Sequence, residues 1–395
     1  MEEPVCLIEN KGTFVANPEA ISILSKVNQP VVVVAIVGLY RTGKSYLMNK
    51  LAGGTKGFGL GYSIEAKTKG TWMWCIPHPT KKNHMLVLLD TEGLGDGVKG
   101  NDKNDSWLFC LAILLSSVLV YNCKNAIDQD ALEKLKFTEE ITQLIKVKSQ
   151  NNKDEKAEFS RHFPMFIWVV RDFLLQLQID GKPVSEDEYM ENALMLKTSA
   201  NTKKEEEFNK LRESLRMYFG CRKCFVFDFP SFDVEDLPRL EDIPENNLNA
   251  KFTSQCNKFC NYIFNKAEEK RVQDTVTVTG KRLGELVKFY VDAINSSKFA
   301  CMEDAVLSLS EKENIAATDE AVQHYKDKMK MVKLPTETLE NFLDLSKQYE
   351  DEAQKIFLKR SFKDKDEQFL KKFALWGPSH KGHKTSLSIK FFTPT

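Results

Sequence analysis

The sequence has neither an excess of charge of one sign nor an apolar run long enough to cross a membrane. Lysine plus arginine and aspartate plus glutamate both number 56, so the net charge is zero. Without a basic field, the chain gives no reason to expect nucleic acid as a partner. The longest apolar stretch, from Trp107 to Tyr121, is too short for a transmembrane span and contains serines. It is typical of a buried helix that runs into a core strand.

An apolar signal segment and a regular cysteine framework are also missing. The chain begins with the acidic segment Met1–Pro4, and its nine cysteines are scattered and odd in number. This pattern predicts a reduced, cytoplasmic protein. A zinc site built from Cys221, Cys224, Cys256 and Cys260 is an alternative. Because Cys224 opens an apolar strand and the last two are spaced as on one helix, we expect core packing instead.

A complete phosphate-binding loop, Gly38–Ser45, directly follows the apolar run Val31–Val37. The run is typical of a buried parallel strand, and the residues after the loop continue with helical spacing. Such a strand, loop and helix N-terminus form an anion site, because backbone N–H groups and the helix dipole converge on phosphate. Lys44 is predicted to reach the β- and γ-phosphates of a nucleoside triphosphate, and the Ser45 hydroxyl to bind Mg²⁺. Arg41 is either an internal arginine finger or a solvated surface charge.

A second apolar run supplies acidic residues to the same site. Met85–Leu89 leads into an Asp-Thr-Glu-Gly motif that begins at Asp90. An aspartate at the end of a core strand is placed to hold the magnesium shell, and the amide of Gly93 to approach the γ-phosphate. Thr68 lies in the interval where a mobile loop normally brings a second Mg²⁺ ligand, after the glycine-rich segment 57–62. We expect this loop to order when the triphosphate and Mg²⁺ bind.

The base is predicted to be read at the end of a later strand. Phe166–Val170 is followed by Arg171 and Asp172, and a carboxylate there can accept hydrogen bonds from guanine N1–H and the 2-amino group. The stem of Arg171 could cover the base. Segment 122–124 resembles the start of the common guanine motif but lacks its spacing. The alternatives are an ordinary charged pair at a strand end and an ATPase whose Asp172 does not face the base.

Strand-like and helical segments alternate over the first two-thirds of the chain, and only helical segments follow. The alternation predicts an α/β P-loop GTPase domain with a mostly parallel central sheet and helices on both faces, followed by a short α-helical domain. We expect these domains over 1–296 and 297–377, with a disordered tail over 378–395. The predicted strands are Val31–Val37, Met85–Leu89, Val118–Tyr121, Phe166–Val170 and Phe225–Phe227. The predicted helical stretches include Asp130–Val147, Glu186–Leu196, Met302–Leu309, Ala316–Met331 and Thr336–Phe362.

Together these motifs resemble the guanylate-binding protein family of dynamin-like large GTPases, from about residue 1 to residue 377. The resemblance rests on the phosphate loop with its internal arginine and on the segments 68–79, 88–96 and 171–173. It implies a GTPase that uses Mg²⁺ and forms GDP and, in some members, GMP. The implied catalytic residues are Arg41, Lys44, Thr68 and Glu92, and the implied metal ligands are Ser45 and Thr68. The implied nucleotide contacts are Gly38, Leu39, Tyr40, Arg41, Thr42, Gly43, Lys44, Ser45, Tyr46, Asp90, Gly93, Arg171 and Asp172.

The resemblance also implies partners and a setting. Members dimerise through the GTPase domain when GTP is bound, so we expect a homodimer or a heterodimer with related large GTPases. The loop Ser231–Asn247 looks like the family's guanine cap at that contact. Members are typically interferon-induced proteins of innate immunity that act on vesicles or pathogen-containing vacuoles. Peripheral membrane association therefore fits, without a transmembrane segment and, since no cysteine lies near the C-terminal end, without a prenyl anchor.

The chain departs from the family pattern at several positions. Ala66 stands where a serine usually helps to orient the attacking water, which predicts GTP binding with hydrolysis slowed on the order of 10²-fold. Val169 replaces a threonine, without an expected effect on base choice. Phe229, Phe232 and Asp233 stand in the cap region where members often have arginines, which leaves the dimer contact through this surface open.

Family members also continue through a longer helical bundle, so we expect a truncated product. GTP hydrolysis is the leading function. The alternative is a GTP-gated interaction protein that hydrolyses slowly or not at all and regulates full-length relatives through mixed dimers.

Overall fold

The computed structural model describes residues 1–60, 68–95, 102–133, 135, 163–197, 202–272, 276–296, 302–333 and 338–374. The chain divides into two compact units, Met1–Glu303 and Asp304–Thr395. The domain limits expected from the sequence, 1–296, 297–377 and 378–395, stay predictions, and the expected tail lies outside the described residues.

The first unit is built on an eight-stranded sheet. Its strands are β1 (Val5–Asn10), β2 (Phe14–Ala16), β3 (Val31–Gly38), β4 (Thr71–Pro77), β5 (Met85–Thr91), β6 (Val118–Lys124), β7 (Met165–Arg171) and β10 (Arg222–Val226). In the order β10-β7-β6-β3-β5-β4-β1-β2, the strands from β10 to β5 pair in parallel and those from β5 to β2 antiparallel. Separate ribbons join β8 (Gln178–Ile179) to β9 (Lys182–Pro183) and β11 (Arg271–Val272) to β12 (Val276–Thr277).

Helices cover the sheet on both faces. They are α1 (Pro18–Ser25), α2 (Lys44–Leu51), α3 (Asp102–Leu115), α4 (Gln129–Glu133), α5 (Glu186–Ala193), α6 (Lys203–Tyr218), α7 (Ala250–Lys266) and α8 (Gly280–Asn295). On one face, α2 and α7 share an apolar core with Val32, Val34 and Ile36 of β3. The intervening residues of β3 are buried too, and α3 contacts this strand. Burial on both faces explains why β3 is a continuous apolar run.

Each strand predicted from the sequence overlaps an observed one, and the fold class is confirmed. The stretch from Trp107 to Tyr121 divides into α3 and β6 as expected. The antiparallel strands β1, β2 and β4 were not predicted. In β4, buried and half-buried residues alternate, so the strand carries no continuous apolar run. Of the helix expected over Asp130–Val147, the structure describes residues 130–133 and 135, and the rest lies outside the described residues.

The sheet ends at β2, beside the last residue of α8. Asn295 donates through Nδ2 to the Phe14 carbonyl at 2.6 Å, and its Oδ1 accepts from the Phe14 N–H at 3.1 Å. One side-chain amide therefore satisfies both backbone groups of Phe14.

The second unit is helical. Its elements are α9 (Met302–Lys330), which begins just before the unit boundary, α10 (Leu339–Arg360) and α11 (Gln368–Ala374). The predicted stretches Met302–Leu309 and Ala316–Met331 belong almost entirely to the single helix α9. A small core joins the three helices through Ala317, Ala321, Ala353, Phe357 and Phe373. Arg360 adds ion pairs to Glu313 and Glu320, each at 2.8 Å. Within the described ranges, no helix is long and apolar enough to cross a bilayer.

Candidate nucleotide-binding site

The phosphate loop connects β3 to α2 and is shaped by a glycine at each end. Gly38 has a φ of 147° and lies so close to the Asn122 carbonyl of β6 that a Cβ would overlap it. Gly43 has a φ of 80° and caps α2. Arg41 also has a positive φ, 59°, which few residues other than glycine adopt. The loop is thus held in one tight shape, with Lys44 at the wall of a cleft.

Lys44 is a buried cation in the wall of the cleft. Its Nζ donates to the Leu39 carbonyl at 2.9 Å, and the Thr42 hydroxyl donates to the same oxygen at 2.8 Å. Burial lowers the pKa of Lys44 to about 8, against the opposing effect of the Asp90 carboxylate. A hydrogen bond from an ammonium to a phosphate oxygen is stronger than one to a carbonyl. The site therefore favours an anion.

Asp90 is the second-last residue of β5, where it pairs with Ile36 of β3. Its Oδ2 accepts from the Ser45 hydroxyl at 2.6 Å. Burial raises the pKa of Asp90 to about 6, while Lys44 and the Ser45 hydroxyl lower it. The other oxygen, Oδ1, is buried and has no hydrogen-bond partner among the described residues. Since buried polar atoms are rarely left unpaired, this oxygen indicates a place for a water molecule or a metal ion.

The groups around Asp90 fit Mg²⁺, which takes oxygen ligands and keeps several of its waters. Ser45 and Thr68 both line the cleft and carry hydroxyl groups, and Asp90 adds its unpaired oxygen. In the part of the chain that the structure describes, no cluster of three or more acidic, cysteine or histidine side chains could hold a metal ion.

The cleft beside the phosphate loop has a volume of about 370 Å³. Asp172 lies in its wall just after β7, with a φ of 57°. Lys124, at the end of the neighbouring strand β6, forms an ion pair with it, with 3.5 Å between Nζ and Oδ2. The side chain of Asp172 is 16% exposed. A carboxylate held at a cleft wall in this way can accept hydrogen bonds from the edge of a guanine base.

Arg171 lines the same cleft, but its guanidinium contacts the back of the phosphate loop. Nη1 donates to the Gly43 carbonyl at 3.3 Å. The guanidinium carbon lies 5.4 Å from the centre of the Phe227 ring and 5.3 Å from that of Phe252. These contacts hold the guanidinium against the loop and the two rings. That the stem of Arg171 covers the base stays a prediction.

Glu92 follows β5 and is buried, but Thr91 and Gly93 form the cleft wall on either side of it. Its Oε2 accepts from the Gly70 N–H at 2.9 Å and from Asn10 Nδ2 at 3.3 Å. Glu92 therefore joins the strand end that carries Asp90 to the backbone two residues after Thr68. Ala66 lies outside the described residues.

The segment after β10 gives the cleft an apolar side, formed by Phe229, Pro230, Leu237 and Leu240. Leu237 lies in the 3-10 helix Val234–Arg239, within the predicted guanine cap. Lys56 forms an exposed ion pair with Asp242 of the cap segment, with 2.7 Å between Nζ and Oδ1. The side chain of Phe232 is 83% exposed. The apolar side suits the face of a flat base, and Phe232 remains open to solvent.

Most of the residues predicted for the site meet at this one cleft. Its wall includes Tyr40, Arg41, Thr42, Gly43, Lys44, Ser45, Tyr46, Thr68, Gly93, Arg171 and Asp172. Gly38, Leu39, Asp90 and Glu92 are not part of the wall. Leu39 and Asp90 bond to the wall residues Lys44 and Ser45, whereas Gly38 accepts from the Leu94 N–H and Glu92 from the Gly70 N–H. The sequence alone did not identify Gly59, Leu60, Thr91, Lys124 and Pro230 as site residues, whereas Leu237 and Leu240 lie within the predicted guanine cap. For Lys124, the segment 122–124 was the available signal.

The chain matches two family models over nearly its whole length. Guanylate-binding protein, N-terminal domain, matches residues 11–272, and guanylate-binding protein, C-terminal domain, matches 274–376. Guanylate-binding protein 3 of Mus musculus is 51% identical over 380 residues, covering 95% of this chain and 61% of the relative. Guanylate-binding protein 6 of Homo sapiens is 52% identical over 378 residues, covering 94% of this chain and 60% of the relative. Guanylate-binding protein 2 of Homo sapiens is 50% identical over 374 residues, covering 93% of this chain and 63% of the relative.

The chain thus spans only 60% to 63% of the length of these three relatives. Within that span, the matches include both the sheet with its cleft and the helices that follow. The resemblance that the motifs suggested is confirmed: the chain belongs to the guanylate-binding protein family of large GTPases.

Proposed function

We propose that the chain binds GTP with Mg²⁺ in this cleft and hydrolyses it to GDP. The observation that carries the proposal is the joint placement of Lys44, Ser45 and Asp172 in one cleft wall, with Asp90 bonded to Ser45. The buried ammonium of Lys44 and the Mg²⁺ ligand Ser45 suit a triphosphate. The carboxylate of Asp172 suits the edge of guanine that carries the N1–H and the 2-amino group. Adenine lacks that pair of donors. The relatives are named guanylate-binding proteins, which agrees with this choice of base.

The phosphates would be bound by the loop and by the first turn of α2, whose free amides donate to anions. Lys44 would leave the Leu39 carbonyl for the β- and γ-phosphates. Ser45 and Thr68 would hold Mg²⁺, with Asp90 orienting the Ser45 hydroxyl. When bound, the ion neutralises charge on the phosphate oxygens.

For hydrolysis, Arg41 would stabilise the charge that develops on the phosphates as an internal arginine finger. Glu92 would act through the end of the Thr68 loop, since its carboxylate accepts from the Gly70 N–H. Ala66 lacks the hydroxyl that would help to position water, so we expect slow turnover. A second cleavage to GMP is part of the same proposal.

Titration calorimetry with GTP, GDP and ATP in the presence of Mg²⁺ tests the choice of nucleotide. GTP and GDP are expected to bind, and ATP at least about 10²-fold more weakly. Chromatography of the products over time then shows whether GDP accumulates and whether GMP follows. Equal affinity for ATP and GTP would refute guanine recognition. Bound GTP that is never cleaved would refute the proposed GTP hydrolysis.

A second candidate function is a GTP-gated interaction protein that hydrolyses little and pairs with itself or with full-length relatives. The exposed ring of Phe232 favours it, because Phe232 follows the cleft residue Pro230 closely and lies in the predicted dimer surface. Sedimentation with GDP and with a non-hydrolysable GTP analogue tests this candidate. A dimer that forms only with the analogue and weakens in Phe232→Ser supports it, and a monomer in both states excludes it. The expected location at vesicles or pathogen-containing vacuoles stays a prediction.

A further inference from the structure

Two buried side chains hold the back of the phosphate loop. Asn122 Nδ2 donates to the Thr42 carbonyl at 2.8 Å, and Arg171 Nη1 donates to the Gly43 carbonyl at 3.3 Å. Asn122 is fully buried and Arg171 is 4% exposed. They lie near the carboxyl ends of β6 and β7, which pair in parallel. Consecutive carbonyls of the loop are therefore fixed from adjacent strands of the sheet.

A fixed carbonyl also aims the amide that follows it. Across a trans peptide bond, the C=O and the next N–H point in opposite directions. Asn122 therefore sets the direction of the Gly43 N–H, and Arg171 that of the Lys44 N–H. Both amides point away from the side chains that hold the loop. Amides in this position, at the start of α2, are the ones that bind a phosphate group.

The surroundings of Arg171 leave it little freedom to move. Its guanidinium lies 5.4 Å and 5.3 Å from the ring centres of Phe227 and Phe252, a distance at which cations are attracted to aromatic rings. Burial lowers the pKa of Arg171, while Cys256, Asp172 and Tyr46 oppose that effect. A cation removed from water costs free energy until an anion comes near. A phosphate bound by the loop would supply that anion.

Arg171 is also the residue before Asp172, which is the candidate for reading the base. The Asn125 N–H donates to the Arg171 carbonyl at 2.7 Å, so this strand end is tied to the segment after β6 as well. The carboxylate of Asp172 and the guanidinium that contacts the phosphate loop are therefore carried by consecutive residues of one strand end.

We propose that Arg171, assisted by Asn122, is a positioning residue that holds the phosphate loop ready for an anion and couples it to Asp172. The identity of the anion in this inference rests on the proposed GTP binding. The shape of the phosphate loop in the nucleotide-free chain does not rest on it, so an experiment can refute either one without the other.

Hydrogen exchange of the nucleotide-free full chain, followed by mass spectrometry, tests the empty loop. The variants are Arg171→Met and Asn122→Ala, with Arg212→Met as the matched control. Arg212 is also buried, lies 5.9 Å from the Phe208 ring centre and donates to the Ala193 carbonyl at 3.1 Å, away from the cleft wall. Faster exchange in peptides over 38–45 is expected in both variants and not in the control. Unchanged exchange there, or the same increase across the sheet in all three proteins, overturns the proposal.

Affinities for GDP and GMP test the coupling to phosphate. Arg171→Met is expected to weaken GDP binding about tenfold and GMP binding less, because fewer phosphate charges then face the missing cation. Arg171→Lys should restore part of the loss, since it keeps the charge but not the planar group. Equal losses for both nucleotides, or none, contradict the coupling. A wild-type chain that binds no guanine nucleotide refutes the proposed function, and hydrogen exchange still decides the role of Arg171 in the loop.

Discussion

Lys44 and Asp90 show pKa changes in opposite directions with one physical cause. Burial lowers the pKa of Lys44 to about 8 from 10.5, and raises that of Asp90 to about 6 from 3.8. The raised pKa of Asp90 stabilises the fold at low pH, and this contribution is lost as the pH rises through 6. The lowered pKa of Lys44 stabilises the fold at high pH, and this contribution is lost as the pH falls through 8. Between these values both groups are charged, and their burial costs the fold most.

The variant Asp90→Asn should reveal this cost. As the pH rises from about 4 to 6, the free energy of unfolding of the wild type should fall relative to the variant by about 1–3 kcal/mol, because only the wild type deprotonates a buried group. Urea unfolding of nucleotide-free protein across this range measures the difference. Asp130→Asn, at an exposed position, is the control. Parallel curves for the wild type and Asp90→Asn would show that burial does not raise this pKa.

Asp172→Asn should change the preferred base. Xanthine has a 2-oxo group where guanine has a 2-amino group, and an asparagine amide can donate to it. We expect affinity for GTP to fall about 10²-fold and affinity for xanthosine triphosphate to rise. Competition binding measures both values. Asp180→Asn is the control, since Asp180 also has a positive φ, 51°, but is exposed and is not part of the cleft wall. Unchanged nucleotide preference in Asp172→Asn would exclude base reading by Asp172.

Ala66→Ser should increase the rate of GTP cleavage. A serine restores a hydroxyl that can help to position water, an effect commonly on the order of 10²-fold. Because the residue is expected to act on the chemical step, kcat should rise while KM changes little. Single-turnover hydrolysis measures the rate. The same rate in parent and variant would remove Ala66 as the cause of slow turnover.

Among the elements, the predictable ones are those whose signal is local. The phosphate loop and its buried strand could be recognised because their residues are consecutive, and β3 has no exposed face to interrupt its apolar run. The strand β1 has an apolar run of only four residues, Val5–Ile8, and pairs with β4 far along the chain. The strand β2 has three residues, too few to show a pattern, and pairs with β1. The contact of Arg171 with Gly43 was not predictable either, since it depends on which strands become neighbours in the sheet. The residues of the site could therefore be predicted from the sequence, but not the side-chain contacts that hold the phosphate loop in place.

Gly70→Ala should weaken the antiparallel side of the sheet. Gly70 has a φ of 73°, and a Cβ there would overlap the Ile8 carbonyl of β1. We expect a loss of about 1–3 kcal/mol in the free energy of unfolding, because both the backbone and β1 must shift. Thermal or urea unfolding measures the loss. Gly54→Ala is the control, since a Cβ there has room and the φ is not positive. Equal stability of the two variants would contradict the close approach of Gly70 to β1.

For the molecule as a whole, the two compact units differ in how they are held. The first has a core on each face of a large sheet, whereas the second depends on a small core centred on Ala353 and Phe357. Few buried side chains then carry most of the apolar contact in the second unit. Single substitutions there should have large local effects.

Phe357→Ala should destabilise the second unit by about 3–5 kcal/mol, the usual cost of removing a buried phenylalanine ring. Hydrogen exchange of peptides from α9 and α10 measures the local loss. Leu358→Ala, at a neighbouring but exposed position, should change stability by no more than about 0.5 kcal/mol. If both variants exchange like the parent, the small core does not hold these helices together.

The contact between Asn295 and Phe14 has a consequence for solubility. The last strand at one end of a sheet normally offers unpaired N–H and C=O groups, to which a strand of another chain can add. Here that strand has three residues, and a helix-borne amide satisfies the donor and the acceptor of Phe14. An incoming strand would have to break both bonds before it could pair. Growth of the sheet into fibrous aggregates is therefore opposed at this edge, and assembly there has to proceed through side-chain surfaces.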